Sequence, residues 1–143
     1  MKNIETEITI NAKPDKVWNT LMKTDEYHKW NPFVRKLEGE IKKGNQIAIT
    51  LKQVNGKEMD FKPVITELAP QKELRWQGKL FISGIFDGEH YFMLEPIEGN
   101  KTKFIHGENF SGILIPFMGG VLKSTEEGFK AMNEELKTRC EQE

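Results

Sequence analysis

The feature that most constrains this chain is a change of hydrophobic period near Gly119-Gly120. Before that point, apolar residues recur mainly at every second position, the spacing of strands. After it, Leu122, Thr125, Phe129, Met132, Leu136 and Cys140 recur every third or fourth position. That is one face of a helix spanning about residues 120–139. Glu126, Glu127, Lys130, Glu134, Glu135 and Lys137 occupy the other side. A long helix with one apolar face, preceded by many alternating segments, needs a sheet to cover that face.

The alternating segments can be followed in order. Ile4 to Ile10 alternates cleanly and reads as a strand. Pro14 suits the first turn of a helix, where a missing N–H costs little, and Val17, Trp18, Leu21 and Met22 give that helix its apolar stripe. Thr24 or Asp25 is placed to cap a second short helix through Tyr27 and Trp30, which Asn31-Pro32 ends. Six further strands are predicted at 33–41, 46–54, 57–68 and 73–82, then around 88–94 and 102–110. They are separated by turns at Gly44, Asn55-Gly56, Pro70, Ser83-Gly84 and Glu98-Gly99-Asn100. Pro63, inside the third of these, implies an edge or a bulge. The expectation is an α+β fold: a curved seven-stranded antiparallel sheet around a long C-terminal helix, with two short helices after the first strand. Such a sheet can leave a space between itself and the helix.

A chain of 143 residues fits one domain, 1–143, with enough buried surface to need no disulfide or structural metal. Charged residues make up 30% with a net charge of −1 and no long run of one sign. That argues against a nucleic-acid groove or a basic membrane patch. No apolar run approaches the ~20 residues that span a bilayer, and Met1-Lys2-Asn3 leads straight into a strand, so the cytoplasm is the expected compartment. Cys140 is the single cysteine and reads as a small apolar residue near the end of the last helix.

The chemistry gathers on two adjacent strands. Side chains alternate faces, so Gly88, His90, Phe92 and Leu94 share one face with Phe104, His106, Glu108 and Phe110. Asp87, Glu89, Tyr91, Met93, Lys103, Gly107 and Asn109 take the opposite, solvated face. A three-residue loop at 98–100 sets His90 opposite Glu108 and Phe92 opposite His106; a slip of two residues sets Phe92 opposite Glu108 instead. Two histidines and a carboxylate on an apolar face need hydrogen-bond partners. They read either as the polar end of a ligand cavity or as a closed network in the core. His28 reads as solvent-facing.

The residues Pro14-x-x-x-Val17-Trp18, Trp30-Asn31-Pro32-Phe33 and Leu74-Arg75-Trp76-Gln77-Gly78 carry a family likeness. It continues through Phe86-Asp87-Gly88-Glu89-His90-x-Phe92-x-Leu94-Glu95-Pro96 and Thr102-x-Phe104-x-His106-x-Glu108-x-Phe110-x-Gly112. Over nearly its whole length the chain resembles the START-like superfamily, also called SRPBCC or Bet v 1-like, in its bacterial polyketide cyclase/dehydrase-like branch. The resemblance implies a helix-grip fold with a hydrophobic cavity. It is compatible with a carrier, a cyclase or dehydratase, or a chaperone-associated module, although Trp30-Asn31-Pro32 stands where the chaperone-activating branch commonly carries paired tryptophans.

The expected ligand-binding residues are Trp76, Leu80, Phe86, His90, Phe92, Phe104, His106, Glu108, Phe110, Phe129 and Met132. The expected ligand is small and hydrophobic or aromatic, with no cofactor, no metal and no assigned catalytic residue. The oligomeric state is open, a homodimer included. Gly128, mid-helix, is expected to leave room for a ligand or a close backbone approach. The apolar segments 82–86 and 113–120 are expected at the cavity mouth.

Overall fold

Strand β1 (Lys2–Ile10) buries Ile4, Thr6 and Ile10 on one face. It runs into α1 (Pro14–Met22), which starts on Pro14 and buries Val17, Trp18 and Leu21. The computed structural model describes residues 2–54, 56–80 and 84–142, the Leu80 side chain excepted. The expected turn residues Asn55 and Ser83, and Ile82 of the expected mouth, therefore lie outside the described residues. A 3-10 turn (Thr24–Glu26) leads into α2 (Tyr27–Trp30). Neither Thr24 nor Asp25 caps α2: the residue before it is Glu26, which makes no side-chain cap bond. The chain is fixed there by other means. The Tyr27 hydroxyl donates to the Leu21 carbonyl at 2.6 Å, and buried Asn31 accepts the backbone N–H groups of Phe33 and Val34. That Asn turn ends α2 and aims Phe33 into the core.

Then follow β2 (Val34–Glu38), β3 (Ala48–Lys52), β4 (Glu58–Phe61), β5 (Val64–Ala69), β6 (Glu73–Leu80), β7 (Phe86–Ile97) and β8 (Lys101–Ser111). The expected single strand at 57–68 is thus two, interrupted at Lys62-Pro63, because proline has no N–H for the ladder. The described strands number eight instead of seven, and they form two antiparallel sheets: β1-β8-β7-β6-β5 and β2-β3-β4. The sheets meet where Ile47 N–H bonds the Pro63 carbonyl and Gln46 bridges Val64.

The last helix, α3 (Gly119–Glu141), lies across the concave side. Its buried face is the predicted one, Leu122, Thr125, Phe129, Met132, Leu136 and Cys140, with Gly128 and Asn133 added. Phe33, Phe92, Phe104, Phe129 and Met132 are fully buried together and form the centre of the core. Burial of Cys140 pushes its thiol pKa up, which leaves it an inert apolar residue.

The outer face of β7 and β8 is less open than its composition suggests. Tyr91, expected in solvent, is buried: its hydroxyl donates to Glu5 at 2.6 Å, and the Arg75 guanidinium lies 4.6 Å from its ring centre. Arg75 in turn pairs with Glu73 and Glu89. Long polar side chains cover an aromatic ring here and keep their charged ends wet.

Candidate functional site

The register of β7 and β8 places His90 opposite Glu108 and Phe92 opposite His106, the pairing set by a three-residue loop. Five polar side chains then join into one line through the interior. Glu108 Oε1 is 3.3 Å from His90 Nδ1, and His90 Nε2 is 2.9 Å from His106 Nε2. His106 Nδ1 is 3.0 Å from Asn133 Oδ1 on α3. Asn133 Nδ2 donates to Thr6 Oγ1 on β1 at 2.8 Å, and the Thr6 hydroxyl donates to the His106 carbonyl at 2.9 Å.

Aromatic rings enclose this line. His90 stacks on Trp76 with ring centres 4.8 Å apart, and His106 stacks on Phe129 at 4.0 Å. Charge is costly in such a setting. Burial lowers the His90 pKa to about 3 and pushes that of Glu108 up to about 8. His106 is held well below the usual histidine range, first by burial and then by His90, with Asn133 opposing. At neutral pH both imidazoles are therefore uncharged.

Glu108 and His90 are the members of the line that border open space, and Glu108 is the more exposed. Its side chain keeps 16% of its surface exposed, on the wall of a cavity of about 70 Å³ measured as room for water-sized centres. The cavity is open to solvent on one side and holds several waters or one small aromatic molecule; drug-sized sites run to ~300–1,000 Å³. The walls come from both sheets: Ile49, Leu51, Met59 and Phe61 from β3 and β4, and Trp76, Phe86, His90, Glu108 and Phe110 from β6, β7 and β8. Val121 and Thr125 of α3 close one side. The cavity thus lies between the two sheets and the first turns of α3, where a place between one sheet and the helix was expected.

Of the anticipated residues, Trp76, Phe86, His90, Glu108 and Phe110 border the cavity. Phe92, Phe104, His106, Phe129 and Met132 are fully buried deeper in the core and do not border it. Leu80 pairs with Phe86 across the ladder, and its side chain lies outside the described residues. Gly128 is corrected: Phe33 packs against it so closely that a Cβ there would overlap the ring, so a core side chain takes up the space, not a ligand or a backbone. Gly88 likewise makes room for a side chain. A Cβ on Gly88 would overlap the Glu108 carboxyl, so the missing side chain is what lets that carboxyl lie along β7.

Thr6 and Asn133 went unnoticed in the sequence. A signal existed for each: Thr6 sits at inward parity between Ile4 and Ile8, and Asn133 follows Phe129 by four positions and precedes Leu136 by three. Of the described residues in the two segments expected at the mouth, only Phe86 lines the cavity; the segments do meet each other, since Ile113 and Leu114 donate backbone N–H groups to the carbonyls of Gly84 and Ile85. Ile113 and Phe117 remain 69% and 81% exposed. Among the described residues no three of His, Cys, Asp or Glu converge to hold a metal; His90 and His106 turn their Nε2 atoms toward each other.

Antiparallel strands, two short helices and a long C-terminal helix against the sheet make this a Bet v 1-like, SRPBCC fold. The family model described as polyketide cyclase/dehydrase and lipid transport matches residues 1–141, and the chain belongs to that family. Among solved structures it is similar to the ZhuI aromatase/cyclase from Streptomyces sp. R1128, at 15% identity and TM-score 0.78, covering 98% of this chain and 93% of that one. It is also similar to TTHA0849 from Thermus thermophilus, at 18% identity and TM-score 0.75, with 97% of each chain covered. Ara h 8.0201 matches at 16% identity and TM-score 0.65, over 96% of this chain and 98% of that one. A search of curated proteins returns no match. No helix among the described residues is long and apolar enough to cross a membrane.

Proposed function

We propose that this chain binds a small hydrophobic or aromatic ligand in the cavity between its two sheets, with the ligand's polar end at Glu108. The observation that carries the reading is the composition of the walls: mainly aliphatic and aromatic side chains from both sheets, with Gln53, Lys79 and Thr125 and one carboxyl, Glu108, that His90 backs. Such a lining holds a ligand by apolar burial and orients it by one polar contact. An aromatic molecule burying ~150–250 Å² gains roughly 4–6 kcal/mol at ~25 cal/mol per Å², before the cost of association.

Equilibrium dialysis with naphthalene tests this. Binding is expected with one site per chain, and Val121→Phe, which fills the cavity from its rim, should weaken it about tenfold or more without lowering the melting temperature. Gly128→Leu is unsuitable, since it strikes Phe33 in the core. Absence of naphthalene binding to the wild-type chain refutes the reading.

A second reading, a cyclase or dehydratase, draws on the same carboxyl and imidazole. Both ring nitrogens of His90 already have partners, so Glu108 is the group placed to exchange a proton with a bound molecule. Turnover of a polyketide-like substrate that Glu108→Gln abolishes at unchanged affinity would establish it.

A further inference from the structure

Each hydrogen bond in the line from Glu108 to Thr6 needs one proton, and the far end sets the direction of all of them. The His106 carbonyl can only accept, so the Thr6 hydroxyl uses its single proton there. Thr6 Oγ1 must then accept from Asn133, which turns the amide nitrogen toward Thr6 and the amide oxygen toward His106. His106 Nδ1 therefore carries the proton. A neutral ring leaves its Nε2 as an acceptor, so His90 Nε2 carries the next proton. His90 Nδ1 is then an acceptor as well, and Glu108 Oε1 must donate to it. Run the other way, the line gives Thr6 two acceptors and one proton, and one buried group goes unmatched.

Glu108 is accordingly a carboxylic acid whose hydroxyl is directed inward. Its remaining oxygen, Oε2, lies beside Gly88 at the cavity wall and is a carbonyl-type acceptor. We infer that the cavity selects an uncharged apolar molecule carrying a hydroxyl or N–H donor, which it binds through Glu108 Oε2, and that it discriminates against carboxylates. This deepens the binding reading above and rests on it. A ligand carboxylate would bring a second acceptor, and a charge, against an acceptor in a mainly apolar wall, whose one cation among the described lining residues, Lys79, is solvent-exposed.

Two experiments test it. Long-range proton–nitrogen NMR at pH 7 should show His90 with its proton on Nε2 and His106 with its proton on Nδ1. A proton on His90 Nδ1 overturns the assignment, with no ligand needed. Equilibrium dialysis with naphthalene, 2-naphthol and 2-naphthoate reads the selectivity. The wild-type chain should prefer 2-naphthol to naphthalene by about tenfold, the scale of one buried hydrogen bond, and should bind 2-naphthoate more weakly than 2-naphthol. Glu108→Gln supplies an N–H to His90 and a carbonyl to the cavity, so it should keep the naphthol-to-naphthalene ratio, and Glu108→Leu should bring that ratio to about one. Equal binding of naphthol and naphthoate, or loss of the ratio in Glu108→Gln, overturns the inference. Naphthalene binding without a naphthol preference defeats this inference alone. No binding of any of the three defeats it together with the reading it rests on.

Discussion

The buried line of polar groups makes stability depend on pH in a way set by three residues. Glu108 holds its proton up to about pH 8 in the fold, against an ordinary carboxyl value of 4.5. Between pH 6.5 and 8 the native state thus carries a proton that the unfolded chain has lost, and stability falls as pH rises. His90, lowered to about 3, and His106, lowered likewise, act in the opposite sense. Between pH 4.5 and 6.5 the unfolded chain gains two protons on these rings against one kept by Glu108, so stability rises with pH. The line therefore gives a maximum near pH 6.5 and an alkaline fall of about 2 kcal/mol to pH 8. Glu108→Gln should remove the alkaline fall and keep the acid one, as urea midpoints from pH 5 to 9 would show; an alkaline limb unchanged by the substitution contradicts the assignment. Much of this was legible beforehand. Strand parity alone put His90, His106 and Glu108 on one face, and a three-residue loop gave the observed register as one of two left open. Thr6 and Asn133 were visible only as polar residues at inward positions, because their partners lie on elements 100 and 27 residues away from them.

At the scale of elements, α3 and strands β1, β6, β7 and β8 followed from period alone, since each is long and has one apolar face. The division into two sheets did not. Pro63 marked a break, but the break gives no information on which neighbour each half takes, and β4 pairs with β3 while β5 pairs with β6. The seat of α3 likewise depends on a contact across the chain, Phe33 against Gly128. Gly128→Leu should cost ~1–3 kcal/mol by overpacking. Phe33→Leu in that background should restore part of the loss, so a double-mutant cycle by thermal unfolding should give a coupling well above the ~0.5 kcal/mol expected of independent sites. Additive losses would mean that the helix shifts as a body and Phe33 does not hold its register.

For the molecule as a whole, the two sheets separate at one end, and the cavity occupies the gap. Exposed Ile113 and Phe117 belong to the loop that joins β8 to α3 and do not line that cavity. The opposite end is tied shut, with Lys137 bonded to the Thr9 carbonyl and Glu141 to the Asn11 backbone. β1 lies at the edge of its sheet, and its one neighbour there is β8, with Thr6 facing His106. A ribosome adding ~5–20 residues per second releases β1 several seconds before β8 exists. During that interval Ile4, Ile8 and Ile10 have no partner strand, and the core stays unassembled until the last quarter of the chain emerges. Synthesis halted at residue 100 should accordingly yield a protease-sensitive nascent chain, and release of the full chain should bring resistance in a single step. Protection of residues 1–100 on the stalled ribosome would show that this part assembles without waiting.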